Sequence, residues 1–172
     1  MASGSPREAA LADFEAARSE WEAAFQRVPD GALAYLKPGD DYSLGGLQTH
    51  VNWVLVHYRR VLDGVIKADF GDVGPQDGPG EAEEAGRRAQ RGMTAAERRQ
   101  SLDEMERLHS QVVAAASGLA PDDWSRKAEV VYGAGQEAYP TSAEDVIGWL
   151  RDHYREHVQQ SAALVAAWEK EP

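Results

Sequence analysis

Thr141-Ser-Ala-Glu-Asp-Val-Ile-Gly-Trp149-Leu-Arg-Asp-His153-Tyr-Arg-Glu-His157-Val-Gln-Gln-Ser161-Ala-Ala-Leu164-Val-Ala-Ala-Trp168 is the stretch that decides the fold. Val146, Leu150, His153, His157, Ser161, Leu164 and Trp168 recur by threes and fours, the spacing of one helical face. Thr141-Ser-Ala-Glu144 reads as a capping box, in which the hydroxyl and the acid each satisfy a free backbone N–H at the helix start. The stretch is therefore a long amphipathic helix. Two histidines stand on the face that should be apolar.

Three more segments carry the same period. From about Pro6 to Val28, the residues Leu11, Phe14, Ala17, Trp21, Phe25 and Val28 make one stripe; Ser5 and Glu8 can close a capping box, and Pro6 suits the first turn. From about Ser43 to Lys67, a wide apolar arc of Leu47, Val51, Val54, Leu55, Tyr58, Val61, Leu62 and Val65 predicts deep burial. From about Ala95 to Ser117, Leu102, Met105, Leu108, Val112 and Ala116 line up behind a Thr94–Glu97 capping box. Gly118, with Pro121 behind it, is expected to end that helix in the left-handed conformation.

Ala68 to Met93 reads as a connection long enough to cross a bundle from end to end. Four Gly and two Pro between Asp69 and Gly80, without apolar anchors, predict mobility there. Asp122 to Pro140 is irregular, with Glu129–Tyr132 as a short strand. There is no internal repeat. The sequence thus predicts an all-α single domain over residues 1–172, a four-helix bundle with long crossover connections.

Composition narrows the chemistry. Lys+Arg 18 against Asp+Glu 29 gives a net charge of −11, which argues against nucleic acid and against an anionic membrane as partners. No apolar run is long enough to span a bilayer, and Met1–Glu8 has no apolar signal core, so the expected location is cytoplasmic. Cys is absent, which excludes disulfides, thiolate metal sites and a cysteine nucleophile.

The histidines carry the remaining signal. His153 and His157, four residues apart, share one helical face about 6 Å apart along the axis. His50 and His57 lie on the second helix, about 10 Å apart, so one ion can take only one of them with the His153–His157 pair. Three imidazoles without a thiolate leave coordination positions for water or substrate, the pattern of a catalytic site. Such ligands suit a divalent ion such as Zn, Ni or Fe, and also Cu. The bland alternative is a set of hydrogen-bonded core histidines. His109, at the edge of its stripe, reads as structural or exposed, and Asp152 and Glu156 should point to solvent.

Tyr42-Ser-Leu-Gly-Gly-Leu-Gln-Thr-His50-Val and, after a long gap, Asp145-Val-Ile-Gly-Trp-Leu-Arg-Asp-His153-Tyr-Arg-Glu-His157 resemble the DinB-like family of helical metalloproteins. The resemblance covers nearly the whole chain in helix order. It implies a four-helix bundle in which His50, His153 and His157 hold a divalent ion, with His57 outside the ligand set. It also implies kinship with enzymes whose metal activates a low-molecular-weight thiol. The resulting expectation is a metal-dependent transferase acting on a small molecule with such a thiol, the Asp122–Pro140 segment forming one wall of the site. A metal-dependent hydrolase and a non-catalytic ligand-binding or dimerising bundle are the rivals. A homodimer is expected through helix one, because the five Trp offer aromatic area to spare.

Overall fold

The computed structural model describes residues 5–171; residues 1–4, where the amino-terminal reading begins, and residue 172 lie outside it. Helices α1 (Pro6–Gln26), α2 (Leu44–Lys67), α3 (Glu81–Gln90), α4 (Ala95–Ser117) and α5 (Ala143–Trp168) follow one another, with a two-stranded antiparallel hairpin, β1 (Ala128–Val130) and β2 (Tyr139–Thr141), before the last. Four of the helices form the bundle. α1 lies along α5, α2 lies along α4, and α2 also meets α5.

The stripes become the core. Phe14, Ala17, Trp21 and Phe25 of α1 are fully buried, as are Leu44 and Leu47 of α2, Met105 and Val112 of α4, and Val146 of α5. Burying a side chain such as Phe14 stabilises the fold by about 1.5–3 kcal/mol. Capping boxes at Ser5/Glu8 and Thr94/Glu97 open α1 and α4, and Ser43 caps α2. A buried polar chain ties three helices together beneath the site. Trp21 Nε1 donates to Gln48 Oε1 at 2.7 Å, Gln48 Nε2 to Asn52 Oδ1 at 2.8 Å, and Asn52 Nδ2 to the Ser101 carbonyl at 2.9 Å.

Several local expectations need correction. The capping box of α5 is Ser142/Asp145, one residue later than read, because Thr141 ends β2 and its hydroxyl donates to the Tyr139 carbonyl. Gly118 is right-handed, with φ −74°, and its N–H caps Ala114 O, so α4 closes without a left-handed residue. The connection between α2 and α4 contains a fifth helix and is anchored. Val73 is buried and exchanges backbone hydrogen bonds with Glu129 and Val131 beside β1, while Ala85 and Ala89 of α3 face the bundle. Short Ala side chains among charges left no visible stripe in that segment.

α3 also explains a glycine. A Cβ on Gly46 would fall 1.5 Å from the Ala89 carbonyl oxygen, which accepts from Ser43 N–H at 3.0 Å. Gly46 thus permits the close approach of α2 to the end of α3. Trp21 and Trp124 are buried, Trp53, Trp149 and Trp168 half-buried, and the outward face of α1 carries alanines and charges such as Ala12, Glu15, Ala16 and Glu20. No helix among the described residues is long and apolar enough to cross a membrane.

Candidate metal centre

α2 and α5 bring three histidines to one point. His153 Nε2 lies 3.0 Å from His50 Nε2 and 3.0 Å from His157 Nε2. The ligand atoms of His50, His153 and His157 all fall within 4.8 Å of one another, the single such group of three potential ligands among the described residues. His157 is buried, and His50 and His153 are half-buried, so the cluster sits at the edge of the core.

Proton counting shows what the cluster lacks. His157 Nδ1 donates to Gln160 Oε1 at 2.8 Å, which leaves the Nε2 lone pair free toward His153. A neutral His153 has one proton at most on Nε2, and that proton can serve only one of its two neighbours. One of the two nitrogen–nitrogen contacts is therefore left without a proton of its own. A cation at the common point satisfies all three. Two nitrogens bound to one ion at about 2.0–2.1 Å lie roughly 3 Å apart when they subtend a right angle, which matches the spacing found. The residues fit a divalent ion.

Electrostatics keeps the donors neutral. Burial first, and then the His157 ring, push the His50 pKa down to about 4. Burial, with His157 and His50 beside it, pushes that of His153 down to about 2. Burial also lowers that of His157, against the opposing hydrogen bond that it donates to Gln160. Each imidazole therefore offers a lone pair at neutral pH, the state a metal requires.

Aromatic rings extend from this cluster along α2. Tyr42 stacks on His50 at 4.4 Å between centroids, and Trp53 lies 6.3 Å from His50 and 5.6 Å from His57. His57 stands outside the cluster and turns its Nδ1 to Asp77 Oδ2 at 2.6 Å. His109 is buried between Phe14 and Tyr154, a structural placement. Asp152 and Glu156 are exposed, as their positions predict. From the irregular Asp122–Pro140 segment, Tyr132 reaches the His57 end of the face, 5.9 Å from that ring. A cleft of about 290 Å³ lies on the α3–α4 side of α2, lined by Thr49, Asn52, Arg60, Glu81 and Leu108, and meets the histidine face through Trp53.

Residues 8–161 match the DinB superfamily. The chain belongs to that superfamily. Among solved structures, this DinB chain is similar to YfiT from Bacillus subtilis, described as a probable metal-dependent hydrolase with an unusual four-helix bundle topology. The TM-score is 0.71 at 14% identity, over 99% of this chain and 92% of that one. It is also similar to the mycothiol-dependent maleylpyruvate isomerase, with a TM-score of 0.67 at 13% identity over 89% of this chain. The DinB chain spans about three fifths of that enzyme, 59% of its length. No curated protein matches it by sequence. At these identities the likeness is one of fold.

Sequence reasoning missed the groups that support the histidines. Gln160 stands three residues after His157, the helical spacing for such a contact, and was legible in principle. Asp77 lies in the Gly/Pro-rich connection, where no periodicity announces a partner for α2.

Proposed function

We propose that this DinB protein is a metal-dependent enzyme in which His50, His153 and His157 hold one divalent ion, and that it transfers a low-molecular-weight thiol to a small electrophile. The convergence of three imidazoles, with His153 Nε2 3.0 Å from the Nε2 atoms of both His50 and His157 and too few protons to bridge both contacts, carries the reading. An ion bound there would act as a Lewis acid that favours the deprotonated form of a thiol or water. Gln160 holds His157 in the tautomer that points a lone pair inward. Trp21, 6.0 Å from the His157 ring and hydrogen-bonded to Gln48, packs behind it and excludes water from that side. Tyr42 and Trp53 give the face apolar walls on which a small organic substrate can lie.

The thiol reading is supported by likeness of fold to a mycothiol-dependent enzyme; with no Cys in the sequence, any thiol in the reaction is a co-substrate rather than a side chain. A second reading, hydrolysis by metal-activated water, is favoured by the match to YfiT over almost its full length. Monobromobimane separates them. Metal-loaded protein should accelerate conjugation of an added thiol to this probe above the rate of the thiol alone, and metal-free protein should not. Equal rates with and without protein, together with metal-dependent cleavage of an activated ester, would replace transfer by hydrolysis.

A further inference from the structure

His57 and Asp77 form a second constellation that the metal cluster does not use. His57 stands seven residues after His50, on the same half-buried face of α2 as Trp53. Asp77 comes from the α2–α3 connection and lies 2.6 Å from His57 Nδ1, a separation typical of a charge-assisted bond. Its other carboxylate oxygen lies 3.3 Å from Arg60 Nη1, and Arg60 in turn reaches Glu81 at 2.6 Å. Asp77 is therefore held from both sides, with its side chain only 16% exposed. This fixes the His57 ring and directs its Nδ1 proton. His57 Nε2 has no protein partner among the described residues and is not a sealed, unsatisfied atom.

A latch for the connection would need only Arg60 with Asp77 and Glu81. The added histidine, with one nitrogen aligned by a carboxylate and the other free, is the arrangement of an oriented acid–base group. Its surroundings suit a small organic ligand. Trp53 flanks the ring on the side toward His50, while Tyr58 at 4.9 Å and Tyr132 at 5.9 Å close the other sides. A single indole separates the free nitrogen's ring from the metal cluster.

We propose that His57, oriented by Asp77, is a general acid that protonates the oxygen of an unsaturated carbonyl acceptor lying along Trp53 with its electrophilic carbon toward the metal cluster. In that step the thiolate sulfur bonds to the β-carbon, and the carbon–carbon π pair moves to give an enolate. The Nε2–H of protonated His57 donates its proton to the enolate oxygen, while the Asp77 carboxylate holds the ring by its Nδ1–H. The proton released by the thiol returns to His57 through solvent, and the enol becomes the ketone without change in oxidation state. The substrate class is thus a small conjugated enone, and the proposal rests on the thiol-transfer reading above.

The test compares two acceptors with the metal-loaded protein and one thiol. Monobromobimane loses bromide and needs no proton; methyl vinyl ketone needs one. His57→Ala should lower turnover of the enone at least tenfold more than turnover of the bromide, consistent with the 10²–10⁴-fold typical of acid–base groups. Added imidazole should restore part of the enone rate in that variant. Asp77→Asn keeps the shape of the pair and should show the same selective loss, which covers the case in which His57→Ala folds poorly. A loss equal on both acceptors, no loss on either, or wild-type protein that accelerates only the bromide would overturn the role of His57 and leave thiol transfer standing. Wild-type protein that accelerates neither would overturn thiol transfer, and this inference with it.

Discussion

Gln160 Oε1 accepts from His157 Nδ1 at 2.8 Å, and this contact decides which nitrogen of His157 faces the other two histidines. Both residues lie on α5, three apart, so the helix that supplies two of the clustered imidazoles also supplies the group that sets the proton of one. Gln160→Leu removes the acceptor and frees the ring to turn. Metal affinity should fall about 10- to 100-fold with the helical content unchanged, a cost typical of an outer-shell partner. Competition with a chromophoric chelator measures it, and an unaltered affinity would assign Gln160 a surface role.

The proposed ligand pair on α5 should be separable from the fold. His153→Ala and His157→Ala each break a three-nitrogen site, while the apolar stripes that hold the bundle remain. Each variant should lose most of its metal and keep its far-ultraviolet circular dichroism. Metal near the wild-type content in both would mean that His153 and His157 are core histidines only.

Acid should destabilise the metal-free protein before carboxylates titrate. Burial pushes His109 down to about 4, with Glu15 opposing the shift, and the clustered histidines move the same way. An unfolded histidine titrates near 6.5, so below that pH the unfolded chain holds protons that the folded chain refuses. Unfolding free energy therefore falls as pH drops from about 6.5 toward 4. His109→Leu removes one of these groups and should flatten the curve by about one proton. Urea midpoints of metal-free protein between pH 7 and about 5 check this, and parallel curves for wild type and variant would contradict it.

Gly46 should tolerate no side chain. The Ala89 carbonyl occupies the space of its missing Cβ, and that carbonyl also receives the cap of α2. Gly46→Ala must push α3 away from α2 and should cost about 1–3 kcal/mol, the range for overpacking. A thermal midpoint unchanged within error would show that α3 moves freely.

What the sequence made legible follows from periodicity. Long helices with large apolar side chains announced themselves, and His153–His157 stood out because two imidazoles interrupt the α5 stripe. α3 escaped because Ala85 and Ala89, its buried residues, are too small to mark a face among Glu and Arg. Val73 escaped for a different reason. A single buried residue between glycines has no period, and its hydrogen bonds go to Glu129 and Val131, far along the chain. The Asp77–His57 contact is non-local in the same way, so spacing could not set His57 apart from His50.

Metal content is the measurement that bears most directly on the central claim. Protein purified without a polyhistidine tag, loaded with zinc and freed of excess, should carry one ion per chain by elemental analysis. His57→Ala should retain that ion, and His50→Ala should lose it. Wild-type protein that binds no ion, or an ion retained in His50→Ala and lost in His57→Ala, would contradict the account.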